Sequence, residues 1–234
     1  MGRGADPSIT NKNGDSGISL SAIKNLSKIL KFFYETNPKW LDYEHETNKS
    51  NLAFLAVKHF SYEVLELLLE MKPDLFNVEY KNLTANYTPL YYCLSSQVMK
   101  LDVAEAVYES EGHKNDEVKK SKSQQLKYPL KENQTVTSMV DLMLRKCDPN
   151  IFKKTIGKFG SILHMLIRLN HFEGSQILVQ RFKGQPTLQN IFDSKTSDGL
   201  SPLYFALQKT EGFQTGTSVF KQCFIHQLLT PILF

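Results

Sequence analysis

The side chains that could do chemistry are sparse and poorly spaced for it. His164 and His171 lie seven residues apart with no third ligand near them, which does not build a metal site. The three cysteines, Cys93, Cys147 and Cys223, are widely separated and form no CxxC pair. That excludes a zinc ribbon or disulfide framework and leaves buried free thiols in a reducing compartment. No P-loop, strand-borne GxGxxG, HExxH, GxSxG or kinase signature occurs, and no acidic residues pair at a catalytic spacing. The run "KKSKSQQLK" (119–127) is too short for the continuous basic stripe with stacking aromatics that nucleic acid requires. The expectation is therefore no enzyme activity, no cofactor, no metal and no nucleic acid.

Composition points to a packed protein. Of 234 residues, 41% are hydrophobic and 22% charged, and 28 basic against 24 acidic side chains leave a net charge of only +4. The N-terminus carries no signal peptide, so the Asn-x-Ser/Thr triplets at Asn25, Asn48, Asn82, Asn86 and Asn133 read as chance. Asp6 stands where a myristoylation signal needs Ser or Thr. The apolar stretch 219–234, "VFKQCFIHQLLTPILF", is interrupted by Lys221, Gln222, His226 and Gln227. It falls short of the roughly 20 residues of a spanning helix and reads as an amphipathic packing helix. No membrane contact is expected, and an intracellular location, cytoplasmic before nuclear, follows.

The elements that position these side chains repeat. "SDGLSPLYFAL" (197–207) has partners in "NYTPLYYCL" (86–94), "GSILHMLI" (160–167), "KSNLAFLA" (49–56) and the fainter "GDSGISLSA" (14–22). Anchored on Ile18, Leu52, Leu90, Leu163 and Leu203, the spacings are 34, 38, 73 and 40 residues. A second pattern follows the first three anchors: "ILKFFYETNPK" from Ile29, "VLELLLEMKPD" from Val64 and "MVDLMLRKCDPN" from Met139. Its broad apolar stripe predicts a longer helix, closed by proline. Ser201 and Thr88 are placed to cap a first helix, and Pro202 and Pro89 occupy its first position, where the missing N–H costs nothing.

This pattern of turn, short helix, longer helix and turn resembles the ankyrin repeat. "DGLSPLYFA" and "YTPLYYC" are similar to that family's Gly-x-Thr-Pro-Leu-His-x-Ala start, and "GADPSITNKNGD" (4–15) to a repeat end with its hairpin. The resemblance covers nearly the whole chain. It implies an all-α fold, an ankyrin-repeat solenoid of stacked helix-turn-helix units with short β-hairpin-like loops. Its repeats would fall near 14–46, 47–83, 84–156, 157–195 and 196–234, as one array begun inside a longer one. Residues 97–135, rich in mixed charge, read as an insertion into the third repeat: a mobile spacer, or a docking or phosphorylation segment, whose first part could extend a helix. The family's His survives only as His164, where the resemblance implies a structural tie to the neighbouring repeat. Asn51 and Ile162 stand in place of the proline, Lys72 and Cys147 in place of the end glycine. The register of "FEGSQILVQRF" stays open.

The resemblance implies a protein-binding scaffold, adaptor or inhibitor. Lys49, Lys58, Tyr87, Arg168, Leu200, Gln208 and Lys209 map to the concave strip of hairpin tips and first helices, with Tyr87 and Arg168 as the leading anchors. Two narrower readings share the pattern: the cytosolic array of a transient receptor potential-type channel, and an inhibitor of Rel-type transcription factors.

Overall fold

The structure, a computed structural model, describes residues 6–45, 49–81, 86–110, 130–156 and 159–211. The chain is mostly helical. Ten α-helices are described: α1 Gly17–Ile23, α2 Ser27–Thr36, α3 Leu52–Lys58, α4 Tyr62–Met71, α5 Pro89–Ser110, α6 Leu130–Lys146, α7 Ile162–Arg168, α8 Phe172–Phe182, α9 Pro186–Asp193 and α10 Pro202–Glu211. Among the described residues the extended structure amounts to one two-residue ladder and three isolated bridges. In the ladder, β1 Tyr80–Lys81 pairs antiparallel with β2 Asn86–Tyr87.

The same local physics recurs through the chain. The first helices α1, α3, α5 and α10 start at a side-chain cap that satisfies a free helix N–H. Ser16 Oγ accepts from Ser19 N (3.1 Å), Asn51 Oδ1 from Phe54 N (3.0 Å), and the longer contacts run from Tyr91 N to Thr88 Oγ1 (3.5 Å) and Tyr204 N to Ser201 Oγ (3.4 Å). Ahead of the cap the chain makes a tight turn, closed by Asn11 N to Asp15 O, His45 N to Ser50 O and Thr196 N to Leu200 O. Two residues before the cap the backbone is left-handed at Gly14, Lys49 and Gly199.

The first helices α1, α3 and α7 end alike. Asn25, Phe60 and Asn170 adopt φ of 57°, 55° and 54°, and the next N–H reaches back to Ser21, Ala56 and Leu166 at 2.8–2.9 Å. This left-handed stop satisfies orphan carbonyls and turns the chain directly into the second helix. Asn is the non-glycine residue most at ease there. The second helix is followed by proline at the first position of the next turn: Pro38, Pro73 and Pro149 each start a 3₁₀ turn.

Three expectations are corrected. Asn51 is itself the cap, not a proline substitute, so the register of that segment moves by one residue and Ala53 rather than Leu52 matches Ile18. Leu203 is half-buried, whereas Ile18, Leu90 and Leu163 are fully buried. After α8 the proline-led turn is a two-turn α-helix, α9, so this segment has three helices. The register left open resolves as α8, with His171 Nδ1 accepting from Gly174 N at 3.0 Å. Helix α5 runs to Ser110 and α6 begins at Leu130, so both ends of the 97–135 stretch have helical backbone. Of its expected mobile core (109–127), residues 111–127 lie outside the described residues, as does the C-terminal segment 219–234.

Two compact units form. One holds Met1–Cys93 and Lys131–Asp148, the other Leu94–Leu130 and Pro149–Phe234. In the first, α1 packs on α2 and α3, and α4 on α2 and α3, around Leu30, Leu52, Leu65, Leu68 and Phe76, all at 0% exposure. At about 2 kcal/mol for each buried leucine, this packing and not helix propensity holds seven-residue helices in place. In the second, α7 packs on α8, α9 and α10, and the Phe152 and Phe182 rings meet 5.1 Å apart under the Arg181 guanidinium.

Candidate interaction surface

Lys49, three residues before α3, and Lys58, its last residue, are both exposed. Lys49 sits at the hairpin tip with φ 55° and donates its N–H to the His45 carbonyl (2.8 Å). Lys58 lies in the last turn of α3, where a cation complements the carbonyl end of the helix. Arg168 holds the same place on α7 and is half-buried. Within the first unit Lys58 has company that sequence reading missed. His59 is held below the usual histidine range by burial first, then by the charges of Lys58 and Lys24, with Asp15 opposing. Lys24 and His59 both follow their first helix as its C-cap. Aligning the caps Ser16 and Asn51 puts them at one repeat position, a signal that the one-residue register error hid.

Tyr87, expected as a leading anchor, is buried. It is 6% exposed and packs edge-on against Tyr92, ring centroids 6.5 Å apart, beside the Phe54–Tyr80 pair. The ladder register, Tyr80 opposite Tyr87, turns it inward. Leu200 is half-buried, and what it contributes is its carbonyl, which accepts from Thr196 N (3.0 Å) and His164 Nε2 (2.9 Å). Gln208 and Lys209 lie on the α10 backbone, and their side chains are outside the described residues.

His164 is fully engaged in structure. It is 1% exposed, its Nδ1 accepts from Ser161 N (3.1 Å) and lies 2.9 Å from Ser161 Oγ, and its Nε2 donates to Leu200 O. This arrangement requires the neutral Nε2–H tautomer. Burial lowers its pKa, against a smaller upward pull from the Leu200 carbonyl. The imidazole ties the start of α7 to the turn before α10.

Among the described residues no group of three His, Cys, Asp or Glu could hold a metal ion, and no helix is long and apolar enough to cross a membrane. Cys93 and Cys147 are buried and outside any disulfide among the described residues. No protein-family model matches the chain, and no curated protein matches it.

Proposed function

We propose that the chain is a non-enzymatic protein-interaction module, a solenoid of the ankyrin-repeat kind. One observation carries this reading: the same capped first helix, left-handed stop, longer second helix and proline-led turn recur along the chain at the repeat's spacing. Units built this way bury their faces on their neighbours and leave turn tips and the outward side chains of the first helices to meet a partner. Exposed Lys24, Lys49 and Lys58 in the first unit, and half-buried Arg168 in the second, each give their own unit basic positions that suit an acidic protein surface.

The test is quantitative binding with charge reversals. A partner captured by the natural chain should lose most of its affinity for Lys58→Glu and for Arg168→Glu, with the melting temperature unchanged. Equal affinity for all three chains, or catalytic turnover by the purified chain, overturns the reading.

A further inference from the structure

The first helix pair carries apolar side chains in solvent where later pairs bury theirs. Leu20 is 37% exposed, Leu26 43%, Ile29 44% and Phe32 62%. Aligning the caps Ser16, Asn51 and Ser161 places Leu20 with Leu55 and Met165, which are 2% and 1% exposed. Ile29 falls with Val64, at 0%, and with buried Gly174, and Phe32 with half-buried Leu67 and Ile177, at 8%.

The seam inside the first unit shows what covers such a face. There α1 packs on α3 and α2 on α4. Ser61 Oγ donates to the Ile23 carbonyl (3.3 Å), and the Asn25 carboxamide accepts from Val64 N (3.2 Å). The end of one first helix and its left-handed stop thus lie at the start of the following second helix, at the positions that Leu26, just before α2, and Ile29 hold in the first pair.

We propose that the face of Leu20, Leu26, Ile29 and Phe32 seats a further helix pair of the same build, whose helix end and left-handed stop come against Leu26 and Ile29. The inference rests on the seam geometry and is independent of the binding reading above. A second copy of the chain fits less well. Two-fold pairing through this face would bring the exposed Lys28 and Lys31 of α2 toward their own copies. A further helix pair of the same build avoids that juxtaposition and follows the seam's register.

The test is a chain in which residues 10–43 are repeated in tandem, residues 1–43 followed by residues 10–234. Covering large apolar side chains should raise Tm by roughly 5 °C or more in one transition. Ile29→Glu with Phe32→Glu in the downstream copy should abolish that rise. In the unextended chain the same pair should leave Tm within about 1 °C, as for other exposed positions. The proposal is overturned if the extended chain melts no higher, or if the glutamates leave the rise intact. It is also overturned if they destabilise the unextended chain, since the face is then already covered. Dimerisation of the natural chain in sedimentation, abolished by the glutamates, assigns the face to a second copy instead and overturns it too.

Discussion

Helices α3 and α7 are tied at their starts to a carbonyl farther along the chain, and they do it with different chemistry. At α3 one carboxamide suffices: Asn51 Oδ1 caps Phe54 N, and its Nδ2 donates to the Leu75 carbonyl at 2.8 Å. At α7 the work is divided between Ser161 and His164, whose ring bridges Ser161 and the Leu200 carbonyl. A carboxamide does not titrate and is compact. An imidazole must stay neutral and needs room. That room comes from Gly160, where a Cβ would lie 2.7 Å from His164 Nδ1 and 3.0 Å from Thr196 Cγ2, at a left-handed φ of 67°. The same joint is therefore unconditional in one unit and dependent on pH and on one glycine in the other.

The largest effect should come from filling that room. Gly160→Ala combines left-handed strain with a clash against ring and methyl, and is expected to cost roughly 3 kcal/mol in urea unfolding. Gly199→Ala, with φ 79° but nothing within 4 Å, should cost only about 1 kcal/mol. Equal costs would mean that the His164 ring does not set the demand at Gly160.

Next come the joints themselves. His164→Leu leaves the Leu200 carbonyl and the Ser161 N–H short of a partner, and Asn51→Ala loses both a cap and a tie. Each should cost about 2 kcal/mol. The two should part company on pH. Burial sets the folded pKa of His164 below its unfolded value near 6.5, so between the two the unfolded chain holds the extra proton. Stability is therefore full above about pH 6.5 and falls as pH drops toward the folded pKa. His59 is shifted the same way but stands exposed, and its share should be small. Melting from pH 7.5 to 5 should show the fall in the natural chain and in Asn51→Ala, and a reduced fall in His164→Gln. An unreduced fall would remove His164 as the conditional element. The smallest effect should come from the exposed pair Lys146–Glu70, 3.6 Å apart: Lys146→Ala should change stability by less than about 0.5 kcal/mol.

The sequence carried what short-range chemistry decides. Caps at Thr88 and Ser201, proline at the first helical position, and buried Ile18, Leu90 and Leu163 follow from side chain and neighbour alone. His164 was legible as a structural tie only through the family resemblance, and the ring's contacts agree with that role. What was missed depends on long-range pairing. Whether Tyr87 points in or out is set by its rung opposite Tyr80, and one step of slip would reverse it. Asn51 can cap or stand second, and a carbonyl 24 residues away decides between them. Helix α9 differs from a 3₁₀ turn by having Leu188 and Ile191 buried, against α8 and the Pro149 turn. No local signal announces that.

The first unit is discontinuous in sequence: α6 joins it from beyond residues 94–130. In synthesis this becomes a matter of time. Chain growth at about 5–20 residues per second leaves an interval of seconds in which α1 to α4 are made but α6 is not. During it Met139, Val140, Met143 and Leu144, each at most 1% exposed once folded, are not yet there to complete the unit's core. Closing the excursion costs little in entropy, because that cost grows only with the logarithm of loop length. The delay, rather than the loop, is what the nascent chain must survive.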